Sequence, residues 1–216
     1  MKRVSLAVLF AVCCATPLLA QEKAADAQAA PKAVLPAGWQ ARFDRENADA
    51  SKVSFAAMGD GLHATSGPAA IYWRSKDTMS GPFKITATFT QMKAPTHPEA
   101  YGIFVGGKDL NKDTQTYGYL IVRGDGKYMI KHRAGAEVHT VQDWTDLPAL
   151  KKADENGKAT NTVSFEVRPD SVRAFVNGEQ VKSWASGYWT GNGIAGLRVN
   201  HNLDVHISNF AITPLK

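Results

Sequence analysis

The sequence predicts an all-β fold, an antiparallel β-sandwich, over residues 38–216 of the 216-residue chain. Hydrophobic and polar residues alternate from Trp39 onward, and Gly, Asn, Asp and Pro interrupt this alternation at short intervals. No window of helical length shows the 3.6-residue period of an amphipathic helix. Many short strands separated by turn residues are typical of sandwiches and barrels. The pattern therefore predicts one domain built from packed sheets.

The clearest strand spans residues 83–91. Its alternate residues Phe83, Ile85, Ala87 and Phe89 are apolar, whereas Lys or Thr stands between them. We expect one face of this strand in the core and the other toward solvent, as in a half-buried antiparallel strand. The same alternation predicts further strands at 53–57, 62–66, 70–74, 101–106, 117–123, 128–133, 138–141, 162–168, 172–177, 180–184, 193–199 and 204–212.

Tight turns join several of these strands, because Asn, Asp and Gly tolerate the positive φ that hairpins require. Such turns are predicted at 59–61, 125–126, 169–170 and 177–178. In the last strand the apolar residues change parity, which predicts a β-bulge near Ser208 and Asn209. Residues 142–160 break the alternation and are expected to form the longest irregular segment, of a length usual for binding loops or disorder.

The chain begins with the features of a secretory signal peptide. Basic residues at 2–3 precede an apolar stretch that ends at Ala20, and polar residues follow from Gln21. A membrane anchor is the alternative, but a spanning helix needs about 20 apolar residues. Pro17 interrupts this stretch before that length is reached, so we predict a signal peptide at 1–20.

Both cysteines, Cys13 and Cys14, lie in the predicted signal peptide. Neither follows the small residue that a lipid-acceptor cysteine requires, so lipid anchoring is not expected. We expect the exported domain to be periplasmic or secreted and to be stabilised by burial without disulfides. Residues 21–37 are rich in Ala and contain two prolines, a composition that predicts a flexible linker.

The charge balance argues against a nucleic-acid partner. The chain has 25 basic and 20 acidic residues, a net charge of +5. Loss of Lys2 and Arg3 with the signal peptide leaves 23 basic against 20 acidic residues, or +3. Nucleic-acid-binding domains concentrate more basic charge on one surface. No second apolar stretch predicts a transmembrane segment, and the sequence does not specify an oligomeric state.

Three segments resemble the end of a known type of domain. The hairpin TVSFEVRPDSVRAFVNGEQV, the strand GNGIAGLRV and the strand LDVHISNFAI are similar to the final strands of concanavalin A-like lectin and glucanase domains. Laminin-G-like modules and the secreted 3-keto-disaccharide hydrolase domain family share this pattern. The resemblance covers residues 38–214 and implies a jelly roll of two curved antiparallel sheets. It is a pattern of strands and turns, which indicates fold better than function.

The resemblance raises the question of hydrolysis. Glucanases of this superfamily carry a Glu-x-Asp-x-x-Glu motif, because glycoside cleavage needs an acid and a nucleophile or base. No glutamate after residue 20 has Asp two residues later, so this mechanism is not expected. A hydrolase of 3-keto-disaccharides or related glycosides stays an alternative, with Glu166, Asp143 and His132 as candidate acids or bases. Glu166 is expected on the open face of its strand.

Three oxygen-bearing residues, Asp109, Asn111 and Asp113, are spaced like the start of a calcium loop. An EF-hand would continue with glycine and place a bidentate glutamate at position twelve, where this chain has Thr114 and Leu120. An isolated Ca²⁺ site is therefore the alternative to a plain polar hairpin loop. The histidines include no closely spaced ligand pair, so we predict no zinc site and no other cofactor.

A tyrosine-rich hairpin is the main candidate for ligand binding. A two-residue turn at 125–126 would place Arg123 opposite Tyr128 and Tyr119 opposite His132. One face would then carry Tyr117, Tyr119, Arg123, Tyr128 and His132, although a one-residue change in the turn would shift these partners. Aromatic rings beside Arg and His suit a sugar, which has an apolar ring face and a rim of hydroxyls. Covering the sheet is the alternative role.

Two tryptophans in or beside predicted loops, Trp144 and Trp189, are further candidates for stacking against a saccharide, although such residues also plug the ends of sandwiches. The leading hypothesis is thus a carbohydrate-binding domain with its ligand on a concave sheet face. The alternatives are the hydrolase described above and a non-catalytic protein-interaction module.

Cleavage of the predicted signal peptide would give the exported protein a defined N-terminus. Expression of the full chain in a secreting bacterium should yield exported protein that begins at Gln21, because cleavage is expected after Ala20. Intact-mass measurement of the periplasmic fraction and the medium checks this outcome. In a control, Leu9→Arg interrupts the apolar stretch and should leave the full-length chain in the cytoplasm. Exported protein that still begins at Met1 would contradict the signal-peptide interpretation.

Overall fold

A computed structural model describes residues 33–216. These residues form fourteen strands and one 3-10 helix, arranged as two seven-stranded sheets with antiparallel pairing throughout. The signal peptide predicted at 1–20 and most of the linker predicted at 21–37 lie outside the described residues. Within 33–216, no helix is long and apolar enough to cross a membrane. The antiparallel sandwich predicted from the alternation is confirmed.

The strands in chain order are β1 (Trp39–Phe43), β2 (Val53–Met58), β3 (Gly61–Ser66), β4 (Ala70–Met79), β5 (Phe83–Gln91), β6 (Ala100–Lys108), β7 (Thr116–Arg123), β8 (Lys127–Ala134), β9 (Glu137–Asp146), β10 (Ala159–Val167), β11 (Ser171–Val176), β12 (Glu179–Ala185), β13 (Gly193–Val199) and β14 (Leu203–Pro214); the 3-10 helix is Ala50–Lys52. Sheet A has the spatial order β1-β4-β13-β6-β7-β8-β9, and sheet B has the order β12-β11-β10-β5-β14-β3-β2.

The core lies between the two sheets and is built from alternate residues of nearly every strand. In β5 the apolar residues predicted to face inward are all fully buried. Aromatic rings join the two layers: Phe89 of β5 lies 5.2 Å from Tyr101 of β6, and Phe55 of β2 stacks at 4.2 Å on Tyr72 of β4. Burial of this apolar surface is the main stabilising contribution, since residues 33–216 contain no cysteine that could form a disulfide.

The edges of the sheets differ most from the predicted strands. The edge strand β1 was not predicted, because its apolar residues Trp39, Ala41 and Phe43 alternate over only five positions. At the opposite edge of sheet A, β9 continues to Asp146 and shortens the irregular segment predicted at 142–160. Backbone pairing with β8 extends β9 to this point, although most of its side chains are exposed or only half-buried and show no clear alternation.

Residues before the predicted boundary at 38 also contact the core. Ala33 and Leu35 pack against the core, and the Trp39 amide donates a hydrogen bond of 3.0 Å to the Pro36 carbonyl. At the other end of the domain, the β14 pairing shifts register between Ser208 and Ala211, and Asn209 has a φ of 52°. The bulge predicted from the change in parity is therefore present.

Trp189 closes the interior beside sheet A. Its ring is 8% exposed, stacks at 5.1 Å on Trp184 and meets Phe165 edge to face at 6.0 Å. The ring lies directly over the backbone of Gly118 in β7, where a Cβ atom would overlap the indole carbons. A glycine at this position thus allows the indole to reach the strand.

This contact predicts that Gly118→Ala destabilises the domain by about 1–3 kcal/mol, the range seen when a packed core is overfilled. Gly187→Ala is the matched control, because a Cβ atom there meets nothing within 4 Å and the backbone needs no positive φ. Urea unfolding followed by tryptophan fluorescence measures both variants. Equal stabilities for the two would show that the ring does not constrain residue 118.

Candidate functional site: a polar cleft at one end of the sandwich

A cleft of about 520 Å³ opens at one end of the sandwich, and we call it the end cleft. Its walls come from the segment after β1, the turn between β3 and β4, the loop between β5 and β6 and the turn between β13 and β14. Its lining residues are Asp44, Arg45, Asn47, Ala48, Gly67, Pro68, Ala69, His97, His201 and Asn202. Most of these side chains are charged or can form hydrogen bonds, so the cleft suits a polar ligand.

Backbone hydrogen bonds hold these segments together. The Asp44 amide donates to the Ala69 carbonyl at 3.0 Å, which ties the end of β1 to the start of β4. The Asn200 amide donates to the Ala100 carbonyl at 3.0 Å, which ties the turn before β14 to the start of β6. The walls of the end cleft are thus continuations of the paired strands.

An ion pair joins the end cleft to sheet A. Arg198 of β13 donates to the two carboxylate oxygens of Asp44 at 2.6 and 3.1 Å, and its side chain is only 6% exposed. Burial would raise the pKa of Asp44, but the charge and hydrogen bonds of Arg198 hold this pKa below its ordinary value of 3.8. Burial would likewise lower the pKa of Arg198, whereas Asp44 raises it above the ordinary value.

The same guanidinium reaches two of the predicted tyrosines. Arg198 donates to the Tyr117 hydroxyl at 3.4 Å, and its central carbon lies 4.6 Å from the centre of the Tyr119 ring. A cation over an aromatic ring is a favourable electrostatic contact. Arg198 is therefore paired on one side with a carboxylate and on the other with two aromatic side chains.

A second cluster, His97, Glu99 and His201, lies beside this ion pair. Oε1 of Glu99 is 2.7 Å from Nε2 of His97 and 2.8 Å from Nδ1 of His201. The Glu99 carboxylate is buried, whereas both imidazoles are about half exposed and line the end cleft. The three atoms that could bind a metal lie within 4.8 Å of one another.

The outer face of sheet A, the face away from the core, is filled by its own side chains. Tyr117 and Tyr119 are 1% and 4% exposed, and Trp73 and Phe104 beside them are also buried. Leu110, from the loop between β6 and β7, packs into the same cluster. The two tyrosines therefore lie on the outer face as predicted, but neither ring is open to a ligand.

The predicted register of the tyrosine-rich hairpin is wrong by one residue. Tyr128 pairs with Val122 and His132 pairs with Gly118, because three residues, 124–126, separate β7 from β8. Tyr128 and His132 consequently face the core side, opposite to Tyr117 and Tyr119. The Tyr128 hydroxyl donates to the Val181 carbonyl at 3.3 Å.

The remaining predicted ligand-binding residues are scattered. Arg123 lies on the outer face of sheet A, with its guanidinium 4.1 Å from the centre of the half-buried Trp144 ring. Trp189 is in the core, so its predicted role as an open stacking platform is wrong. His132 packs 5.7 Å from Trp189, and burial together with His139 lowers its pKa.

The structure does not bring the candidate catalytic residues together. Glu166 lies on β10 of sheet B, whereas Asp143 and His132 lie on β9 and β8 of sheet A. Burial would raise the pKa of Glu166, but a 2.9 Å hydrogen bond from Arg168 and the charge of Lys84 hold it below its ordinary value. A general acid needs the opposite shift, so hydrolysis through these residues has no structural support.

The predicted calcium ligands also point to different partners. The Asp109 carboxylate accepts hydrogen bonds from Lys112 at 2.8 Å and Thr114 at 3.3 Å. Asp113 pairs with Arg42 at 3.0 Å, and the Asn111 amide donates to Gln40 at 3.1 Å. These contacts are those expected of a plain polar hairpin loop, to which the isolated Ca²⁺ site was the alternative.

No protein-family model matches the sequence, and no curated protein sequence matches it either. Solved structures do match. The carbohydrate-binding module CBM66 from Bacillus subtilis superposes with a TM-score of 0.60 at 12% identity, over 82% of this chain and 95% of that chain. A Bacillus licheniformis β-glucanase superposes with a TM-score of 0.55 at 11% identity, over 84% and 94% of the two chains.

The fold is that of the concanavalin A-like lectins and glucanases. A Bacillus subtilis protein of unknown function with a galectin-like fold gives a further match, with a TM-score of 0.55 at 12% identity over 82% of this chain and 89% of that chain. The concanavalin A-like jelly roll that the terminal strands resemble is thus confirmed. The superpositions establish the architecture, but at identities this low the function has to be argued from the residues of the site.

The residues of the end cleft were not among the predicted site residues. Asp44 and Arg198 are 154 positions apart, and Glu99 and His201 are 102 positions apart, so no local spacing reveals either cluster. Two signals in the sequence point toward them. Arg198 interrupts an otherwise apolar strand, and the segment His97-Pro98-Glu99 places two polar ligating groups immediately before β6.

The Asp44–Arg198 pair predicts that Asp44→Asn lowers the free energy of unfolding by about 1.5–3 kcal/mol at neutral pH, since it weakens charge-assisted hydrogen bonds to a buried cation. Asp113→Asn is the matched control, because that carboxylate is 89% exposed in its pair with Arg42 and should contribute less than about 1 kcal/mol. Chemical denaturation of both variants measures the difference.

The lowered pKa of Asp44 also predicts how the difference in stability between wild type and Asp44→Asn depends on pH. A carboxyl with a lowered pKa in the folded state stabilises the fold above its unfolded pKa of 3.8, and this contribution is lost as the pH falls through the folded value. The gap between wild type and Asp44→Asn should therefore close in acid. If the difference in free energy of unfolding stays constant from pH 7 to below pH 3.8, the lowered pKa of Asp44 is contradicted.

Proposed function

We propose that this domain binds a saccharide in the end cleft. The observation that carries the proposal is the convergence of Asp44, Arg45, Asn47 and Asn202 on one cleft at the loop end of the sandwich. A carboxylate accepts hydrogen bonds, a guanidinium donates them, and a carboxamide does both. Such a set matches the vicinal hydroxyls of a sugar, each of which donates one hydrogen bond and accepts others.

The closed outer face of sheet A supports this position for the ligand over the sheet itself. The tyrosines predicted to bind there are buried under their own neighbours, so stacking would require the cluster to open. The end cleft is already accessible and needs no such rearrangement. Two proteins with the same fold are a carbohydrate-binding module and a β-glucanase, which is consistent with a saccharide as the class of ligand.

Export to the periplasm or to the medium is part of this proposal and rests on the predicted signal peptide at 1–20. A saccharide-binding domain there would meet polysaccharides and their fragments directly. Net charge is close to balanced after removal of the signal peptide, so binding would depend on hydrogen bonding more than on long-range attraction.

A glycan panel followed by calorimetry tests the proposal. The double variant Arg45→Ala, Asn47→Ala should bind the best glycan about tenfold or more weakly, since it removes charged and neutral hydrogen bonds from exposed side chains of the cleft. Trp144→Ala, at the outer face of sheet A, is the matched control and should stay within about twofold of wild type.

The reverse pattern, with loss in Trp144→Ala and none in the double variant, would place the ligand on sheet A and contradict the proposal. Absence of binding by wild type across plant, bacterial and algal glycans would remove the proposed function altogether.

A further inference from the structure

We infer that His97, Glu99 and His201 form a binding site for a divalent transition-metal ion of the zinc class. This inference goes beyond the proposed saccharide function and does not depend on it, because it concerns three side chains that converge whether or not a sugar enters the end cleft. Two imidazole nitrogens and one carboxylate oxygen are a ligand set that zinc accepts in proteins.

The donor atoms are already nearly in place. Tetrahedral bonds of about 2.0–2.1 Å to a central ion hold ligand atoms about 3.3 Å apart, whereas Glu99 Oε1 lies 2.7 and 2.8 Å from the two nitrogens. Only a small outward movement is needed to admit an ion. The histidine side chains are 58% and 50% exposed, so each ring has room to turn while the carboxylate stays fixed.

The burial of Glu99 is the second observation that supports a metal ion at this site. Its side chain is 7% exposed. His201 shares a hydrogen bond with the carboxylate at 2.8 Å, and His97 makes a second close contact with the same oxygen at 2.7 Å. A buried carboxylate needs compensation for its lost hydration. A cation held between it and two neutral imidazoles would supply that compensation and could bind all three donor atoms, which lie within 4.8 Å of one another.

The surrounding chain positions the ligands. Thr96 Oγ1 lies 3.1 Å from Nδ1 of His97, the ring nitrogen that does not face Glu99. An oxygen partner on the second nitrogen is the usual way in which a metal-binding histidine is oriented. His201 is held by the hydrogen bond between Asn200 and Ala100, and Ala100 directly follows Glu99.

The site has an open side. His97 and His201 both line the end cleft, and Asp44, which also lines it, is engaged by Arg198. Three protein ligands would therefore leave a fourth position facing the cleft, available to water or to an oxygen of another molecule. Two nitrogen ligands favour zinc and its neighbours over Ca²⁺ and Mg²⁺, which prefer sets composed of oxygen atoms.

Calorimetric titration with Zn²⁺ tests the inference. The protein is purified without a histidine tag and freed of metal with a chelator, and wild type should bind one ion per chain. His97→Gln and His201→Gln should each weaken binding at least about tenfold. Zinc should raise the melting temperature of wild type but not that of the variants, because an ion that binds only the folded state stabilises it.

His139→Gln is the matched control. His139 also lies near a carboxylate, 3.4 Å from Glu137, but both side chains are exposed, and among residues 33–216 no third ligand completes a cluster with this pair. This variant should keep the wild-type affinity, and Ca²⁺ should not compete with Zn²⁺. Both ligand variants replace half-exposed rings, and circular dichroism verifies that they fold.

Two outcomes would overturn the inference: no stoichiometric uptake of Zn²⁺ by wild type, or unchanged affinity in both His97→Gln and His201→Gln. Neither outcome bears on the saccharide experiment, whose variants leave all three ligands intact.

Discussion

Side chains on a strand alternate between its two faces, so one residue of register decides which side chains fill the sandwich and which lie outside. In the hairpin of β7 and β8 this constraint is set by a turn of three residues, 124–126. Leu120 and Tyr128 are then directed to the core. Tyr119 is directed to the outer face, where it lies against Arg198. Through a single register, the hairpin thus contributes side chains to both the core and the apolar cluster on the outer face of sheet A.

The fold could be predicted because its signals are local. Alternation identified β5 residue for residue, and the parity change around Ser208 and Asn209 located the bulge in β14. Where a strand is held mainly by backbone pairing, as in β9, its side chains carry little information. The hairpin register shows the same limit, since Asp-Gly is compatible with loops of two or three residues.

The site could not be predicted in the same way because its residues meet only in three dimensions. His97 and Glu99 come from a loop before β6, and His201 comes from a turn a hundred positions later. Burial is equally non-local: Tyr119 alternates like a solvent-facing residue, yet Leu110 and Phe104 belong to the cluster that encloses it. Composition identified residue types suited to sugar binding but could not indicate that the sheet face was closed and the loop end open.

The position of β14 has a consequence for when the protein can fold. This strand comes late in the chain but lies inside sheet B, between β5 and β3. The hairpin of β2 and β3 therefore has no sheet to join until residues 203–214 have left the ribosome. Contacts of such long sequence separation form slowly, so we expect the hairpin of β2 and β3 to join the sandwich late in folding. Sheet B is therefore completed only once β14 has been synthesised, in whatever order the earlier hairpins form.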